Sequence, residues 1–286
     1  MTDAARAAAL AAPPPLRILV LAPQPFFQDR GTPIAARALL ETLAARGVAI
    51  DLLTFAGGRD VTIAGCTIHR IPAIPGTRGI RPGFSLAKLA CDAVMAVQCM
   101  AMLATGRYAL VHALEESAFI AMIARWMFGV PFVYDMDSSL AQQMEETYPS
   151  LGSVRALLKA FERAAIRASL GVIAVCPALR DIALGHAPGA FVRVIEDFSL
   201  LGDAPPSPAA SAAPESLAAT IGRSGPIVLY VGNLEVYQGI DLLIEAFAEG
   251  APITPGAELV MIGGQADDIA RYRERCMRLG IGDRVH

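Results

Sequence analysis

The sequence predicts an α/β protein built from two doubly wound, mostly parallel sheets. Three observations carry that expectation. Short β-branched runs alternate with amphipathic helical stretches from Leu16 onward. A Pro/Ala/Ser-rich stretch at 201–225 then breaks the series. A second strand–helix series opens at Ile227. Strands joined by helical crossovers pair in parallel, because a tight turn can join only antiparallel neighbours. The expected organisation is a loose tail at 1–15, a first domain at 16–200, a linker at 201–225 and a partial second domain at 226–286.

The first domain opens with a strand at Arg17–Ala22, a helix at Pro33–Arg46 stopped by Gly47, and a strand at Ala49–Phe55. A weaker strand near Thr67–Ile71 precedes a long apolar helix at Leu86–Ala104. Strands follow at Leu110–Ala113, Phe132–Asp135, Gly171–Val175 and Val192–Ile195, with helices at Ser117–Phe128, Ser153–Arg167 and Pro177–Leu184 between them. In the second domain, Ile227–Val231 has the composition of a buried strand. Gly232 permits a turn, and Leu242, Leu243, Ala246 and Phe247 recur at helical spacing.

Bulk properties narrow the function classes. Of 286 residues, 54% are hydrophobic and 18% charged, which supports a large core. A net charge of −3 offers no footprint for nucleic acid. Five dispersed cysteines without C-x-x-C spacing read as buried free thiols of a reducing cytosol, and four scattered histidines build no zinc set. Lys88, Asp92 and Gln98 interrupt the Leu86–Ala104 helix, so a core helix is expected rather than a membrane span. Arg70, Arg78 and Arg81 just before it leave room for a weak peripheral membrane contact.

Several segments could carry chemistry. The first strand–helix junction, 22–33, bears Gly31 and Thr32, with Thr32 as helix cap and Pro33 at the first helical position. Val111-His112-Ala113-Leu114-Glu115-Glu116 ends a strand with two glutamates, one read as a helix-dipole partner and the other as lining a cleft. Asp135-Met136-Asp137 follows an apolar strand, and Asp197 closes the first domain. The turn after Val231 places backbone amides and a helix N-terminus at a strand's carboxyl end, where α/β sheets bind phosphates.

The wording of Val231-Gly232-Asn233-Leu234 and of Gln238-Gly239-Ile240-Asp241-Leu242-Leu243-Ile244-Glu245-Ala246-Phe247 resembles the donor-binding start of family 4 glycosyltransferases. Glu258–Gly264 and Arg278–Val285 resemble that family's next strand, glycine turn and following strand. The resemblance implies a GT-B fold, two Rossmann-like domains facing a cleft, with the second one incomplete. It implies a retaining, metal-independent transfer of sugar from a nucleotide-diphosphate donor to a glycan or lipid-linked acceptor, without cofactor. The setting it implies is the cytoplasm or the inner face of the membrane. Gly232, Asn233, Gln238 and Gly239 would hold the donor, and Gly31, Thr32, Glu115, Asp135 and Asp197 would line the cleft.

Departures from the family pattern are visible. Asp137 stands where the family's P-x-V-Y-D-x-H segment has its sugar-contacting histidine, which would replace a donor by an acceptor-only carboxylate. Asn233 and Gln238 stand where phosphate-clamping cations are common. No two glutamates have the E-x7-E spacing of the later domain, so the chain reads as truncated within the donor-binding domain. Two competing readings use the same residues. Asp135-Met136-Asp137-Ser138-Ser139-Leu140 also resembles the haloacid-dehalogenase phosphatase signature, and its D-x-D could clamp a divalent metal. A non-catalytic nucleotide-sugar-binding remnant is the third.

Overall fold

The computed structural model describes residues 16–28, 30–77, 85–142, 152–197, 217–222, 225–234 and 238–286. The expected tail, Arg78, Arg81 and most of the expected linker lie outside these residues. The chain divides into two units, 1–200 and 201–286.

The first unit runs β1 (Arg17–Pro25), α1 (Gly31–Ala45), β2 (Ala49–Phe55), β3 (Cys66–Arg70), α2 (Leu86–Thr105), β4 (Leu110–Leu114), α3 (Ser117–Phe128), β5 (Phe132–Met136), α4 (Gly152–Ala168), β6 (Gly171–Ala174), α5 (Pro177–His186) and β7 (Val192–Val194). All seven strands pair in parallel, in the order β3-β2-β1-β4-β5-β6-β7. The order reverses between β1 and β4, so the sheet is doubly wound as expected.

Side-chain alternation explains the layering. Ile18, Val20 and Ala22 of β1 join Ala36 and Leu40 of α1 in one core. Leu19 and Leu21 face the other way, into a core shared with helices α2 to α5. Both faces of β1 are therefore covered, which is why the strand reads as an unbroken apolar run. Helix α2 docks by the stripe Cys91, Met95, Cys99 and Leu103, spaced one turn apart. Its other faces carry Leu86 and Val97, which are 81% and 72% exposed. It is the one described helix with the length and composition to cross a membrane.

Three local expectations are corrected. Strand β1 runs on to Pro25, which pairs with Phe55 across a bulge, and Phe26 and Phe27 are buried behind it. The expected open loop is therefore mostly strand and core. Helix α1 begins at Gly31 with Arg30 in the cap position, so Thr32 sits inside the first turn and caps nothing. Arg70 is not turned toward a membrane: its guanidinium binds the carbonyls of Phe26, Gly57 and Arg59 and pairs with Asp60. All five cysteines are free, but Cys66 and Cys176 are only half-buried.

The second unit contains α6 (Leu217–Ile221), inside the stretch expected to be linker. It continues with β8 (Ile227–Val231), α7 (Ile240–Gly250), β9 (Glu258–Ile262), α8 (Ala266–Arg278) and a 3-10 turn at Gly282–Arg284. Strands β8 and β9 pair in parallel, and Leu259 bridges Val285 where a further strand starts. Ile240, Ile244, Phe247, Leu259 and Tyr272 form its core. Strand β8 was expected to be buried, yet Val228, Leu229 and Val231 are 42%, 52% and 67% exposed. Only β9 pairs with β8 among the described residues, so its composition exceeds its cover.

Candidate functional site

In a doubly wound sheet the crevice forms outside the carboxyl ends of the strands where the order reverses. Here that point lies between β1 and β4. The segment leaving β1 carries Gly31 and Thr32, the one leaving β4 carries Glu115, and the one leaving β5 carries Asp137. The topology thus brings together residues about a hundred positions apart.

Glu115 is the pivot. Its backbone lies in the left-handed region at φ 50°, which is uncommon outside glycine. Its amide donates to the Asp135 carbonyl at 2.8 Å, holding the strained turn against β5. Ser117, fully buried at the start of α3, fastens the same turn by donating to the Leu114 carbonyl at 2.6 Å.

The Thr32 hydroxyl lies beside Glu115 and Asp137, where it favours the ionised form of each. Burial, with Asp135, Glu115 and Asp197 nearby, pushes Asp137 up to about 8. Burial, with Glu116 and Asp135 nearby, pushes Glu115 up to about 7, against the pull of Lys88. Removing carboxylates from water favours the neutral form, and like charges add to that. That direction favours the protonated form of Asp137, which can donate a hydrogen bond. A protonated carboxyl at this position would have the donor character of the histidine that it replaces.

The two glutamates divide. Glu115 lies beside Thr32 and Asp137 and 4.0 Å from Lys88, whereas Glu116 pairs with Lys88 at 2.5 Å. Neither lies in a helical first turn, since α3 starts at Ser117. Asp197 is exposed at the end of β7 and enters through its charge on Asp137. Asp135 is held differently: its Oδ2 lies 2.8 Å from Nε2 of His112, a residue 5% exposed. A phosphatase would need that carboxylate free to attack phosphorus, and a metal clamp would need both aspartates ionised. The geometry favours neither.

In the second unit the donor-side expectation is partly corrected. The Gly232 amide donates to the Ile262 carbonyl at 3.0 Å, so it is not free for a phosphate. Gly263, at φ 132°, packs so closely that a Cβ there would lie 2.0 Å from the Gly232 carbonyl oxygen. Asn233 accepts from the Tyr230 hydroxyl at 2.6 Å through its own carbonyl. Gly239, at φ 73°, caps α7, leaving the first helix amides without helical partners beside exposed Gln238. Arg271 of α8, which no sequence motif pointed to, reaches the Leu234 carbonyl at 3.4 Å while paired with Asp268 at 3.3 Å and stacked on Tyr272.

Comparison with known proteins bears on the fold and the family. The fold is similar to sucrose-phosphate synthase from Thermosynechococcus elongatus, with a TM-score of 0.71, 22% identity, and coverage of 95% of this chain and 69% of that one. It is also similar to Anabaena HepE, solved with UDP and glucose (TM-score 0.60, 18% identity, 95% of this chain and 68% of that one). Starch Synthase IV from Arabidopsis thaliana, solved with ADP and acarbose, gives a TM-score of 0.63 at 14% identity, covering 95% of this chain and 73% of that one. No curated protein matches the chain. Residues 30–196, more than half of the chain, match the family model described as a glycosyl transferase 4-like domain. The chain therefore belongs to the glycosyl transferase 4-like family and is a glycosyltransferase of the GT-B type.

Proposed function

We propose that this glycosyltransferase moves a sugar, with retention of anomeric configuration, from a nucleotide-diphosphate donor to a glycan or lipid-linked acceptor. The observation that carries the reading is the Thr32–Glu115–Asp137 set at the reversal point of a family 4-like sheet. Protonated Asp137 donates a hydrogen bond to the sugar in transit. Glu115, titrating near neutrality, accepts one from the acceptor hydroxyl. In the second unit, taken by itself, the first amides of α7 are donors suited to a diphosphate. No covalent intermediate on the protein is required.

The reading is metal-independent. Asp135 is hydrogen-bonded to His112 and burial favours the neutral form of Asp137, which makes the D-x-D a poor cation clamp. A cytoplasmic location at the inner face of the membrane goes with a nucleotide-sugar donor and a lipid-linked acceptor. The relatives solved with UDP and with ADP support a nucleoside diphosphate as leaving group.

The test is incubation of the chain with UDP-, ADP- and GDP-linked hexoses, with and without EDTA, reading nucleoside diphosphate release. Release that survives EDTA and is lost in Asp137→Leu supports the reading. Tight nucleotide binding without turnover would instead make the chain a binding remnant.

A further inference from the structure

A cavity lies in the first unit, between α2, α3 and α4, with a volume of about 270 Å³. Its walls are Leu89, Phe119, Ile120, Leu140, Leu158 and Phe161. At its outer rim, Leu89 and Phe161 are 46% and 44% exposed, whereas Ile120 lies deep at 7%. The inner end is polar. Lys88, Asp92 and Glu116 line it, and the buried Oδ1 of Asp92 has no hydrogen-bond partner.

The polar end adjoins the site already described. Lys88 Nζ lies 2.5 Å from Glu116 and 4.0 Å from Glu115, the residue beside Thr32 and Asp137. A groove that is apolar outside and polar beside the transfer site matches an amphiphile with a hydroxyl-bearing head and a single apolar chain. Charge argues the kind of head. Lys88 already faces Glu115, Glu116 and Asp92, so the inner end offers no free cation for a phosphate but does offer Asp92 to a hydroxyl.

We propose that this groove holds the apolar chain of an amphiphilic acceptor, with the chain lying along Leu89 and Phe161 and the neutral head directed past Asp92 toward Glu115. The inference rests on the transferase reading for its acceptor, but chain binding is measurable without any donor.

The probes are n-octyl, n-decyl and n-dodecyl β-glucoside, each titrated into the full chain below its micelle concentration. Burial of methylenes tightens binding by up to about fourfold per added CH2 until the groove is full. Leu89→Trp and Leu158→Trp, which fill the groove from two helices, each weaken decyl glucoside binding at least ~10-fold, the loss of two to three methylene contacts. Trp126→Ala, on the 86% exposed outer face of α3 and outside the groove, leaves it unchanged. Both filling variants are checked for an unaltered circular dichroism spectrum, and decyl glucoside with a terminal diazirine is crosslinked to map the chain to α2, α3 or α4.

Affinity independent of chain length overturns the proposal. So does loss on Trp126→Ala with retention on the filling variants, or binding only to vesicles, which would mark an open membrane face. Labelling confined to other helices, as when the chain's own segments fill the groove, overturns it too. Chain-length-dependent binding without any sugar transfer sustains the groove and removes the transferase reading. Transfer with no alkyl preference does the reverse.

Discussion

His112 Nε2 lies 2.8 Å from Asp135 Oδ2, joining β4 to β5 just below the turn that carries Glu115. The register pairs His112 with Val133 and Leu114 with Asp135, so the two side chains are diagonal neighbours on one face of the sheet. This buried pair sets the spacing of the two strand ends from which Glu115 and Asp137 project.

Removing the imidazole leaves Asp135 without its partner in a buried setting. We expect His112→Ala to destabilise the chain by about 1–3 kcal/mol. Urea unfolding measures it. An unchanged midpoint would show that the pair contributes nothing to the strand ends.

Asp137 is expected to work as a protonated donor. Asp137→Asn keeps a donor of similar shape, so its turnover at pH 7 stays within a few-fold of the parent. Asp137→Leu removes the donor and lowers turnover by ~10²–10³. The parent also loses activity as pH rises through about 8, where Asp137 ionises, and the Asn variant does not. A pH–rate profile of all three proteins checks this.

Stability should fall with rising pH between about 4 and 8. Asp137, Glu115 and Asp92 are raised to about 8, 7 and 7, so the folded chain keeps protons that the unfolded chain has lost. Their contribution is full below the ordinary carboxylate range and disappears through the folded values. Asp51, lowered by hydrogen bonds from His69 and Arg17 that outweigh its burial, acts in the opposite sense and only at the acid end. Melting temperature from pH 5 to 9 is the measurement. The double variant Asp137→Asn/Glu115→Gln flattens the slope.

Gly263→Ala places a methyl against the Gly232 carbonyl at a backbone angle that only glycine adopts readily. The β8–β9 ends must separate, at a cost of about 1–3 kcal/mol. Nucleoside diphosphate affinity, measured by calorimetry, should drop by ~10-fold or more. Gly250→Ala, in open helix surface, is the neutral control.

Local patterns explain what was legible in the sequence. The seven strands of the first unit and their helices follow from periodicity within each segment. What escaped depends on distant partners. The upward shift of Asp137 comes from its burial and from Asp135, Glu115 and Asp197, against the opposing effect of Thr32, and the fold alone gathers the distant ones. The Gly232 amide is taken by Ile262, thirty residues on, so a glycine read as a phosphate donor is a strand partner instead. Arg271 belongs to no motif and reaches its turn through the packing of α8. The split between Glu115 and Glu116 needed the backbone angle at Glu115, which no local pattern announces.

The most direct test of the account is the anomeric configuration of the transfer product. Proton NMR of the reaction between an α-linked nucleotide-diphosphate hexose and decyl glucoside reads it from the first turnover. The account predicts an α-linked product with release of the nucleoside diphosphate. A β-linked product, or no release from any nucleotide sugar, would contradict it.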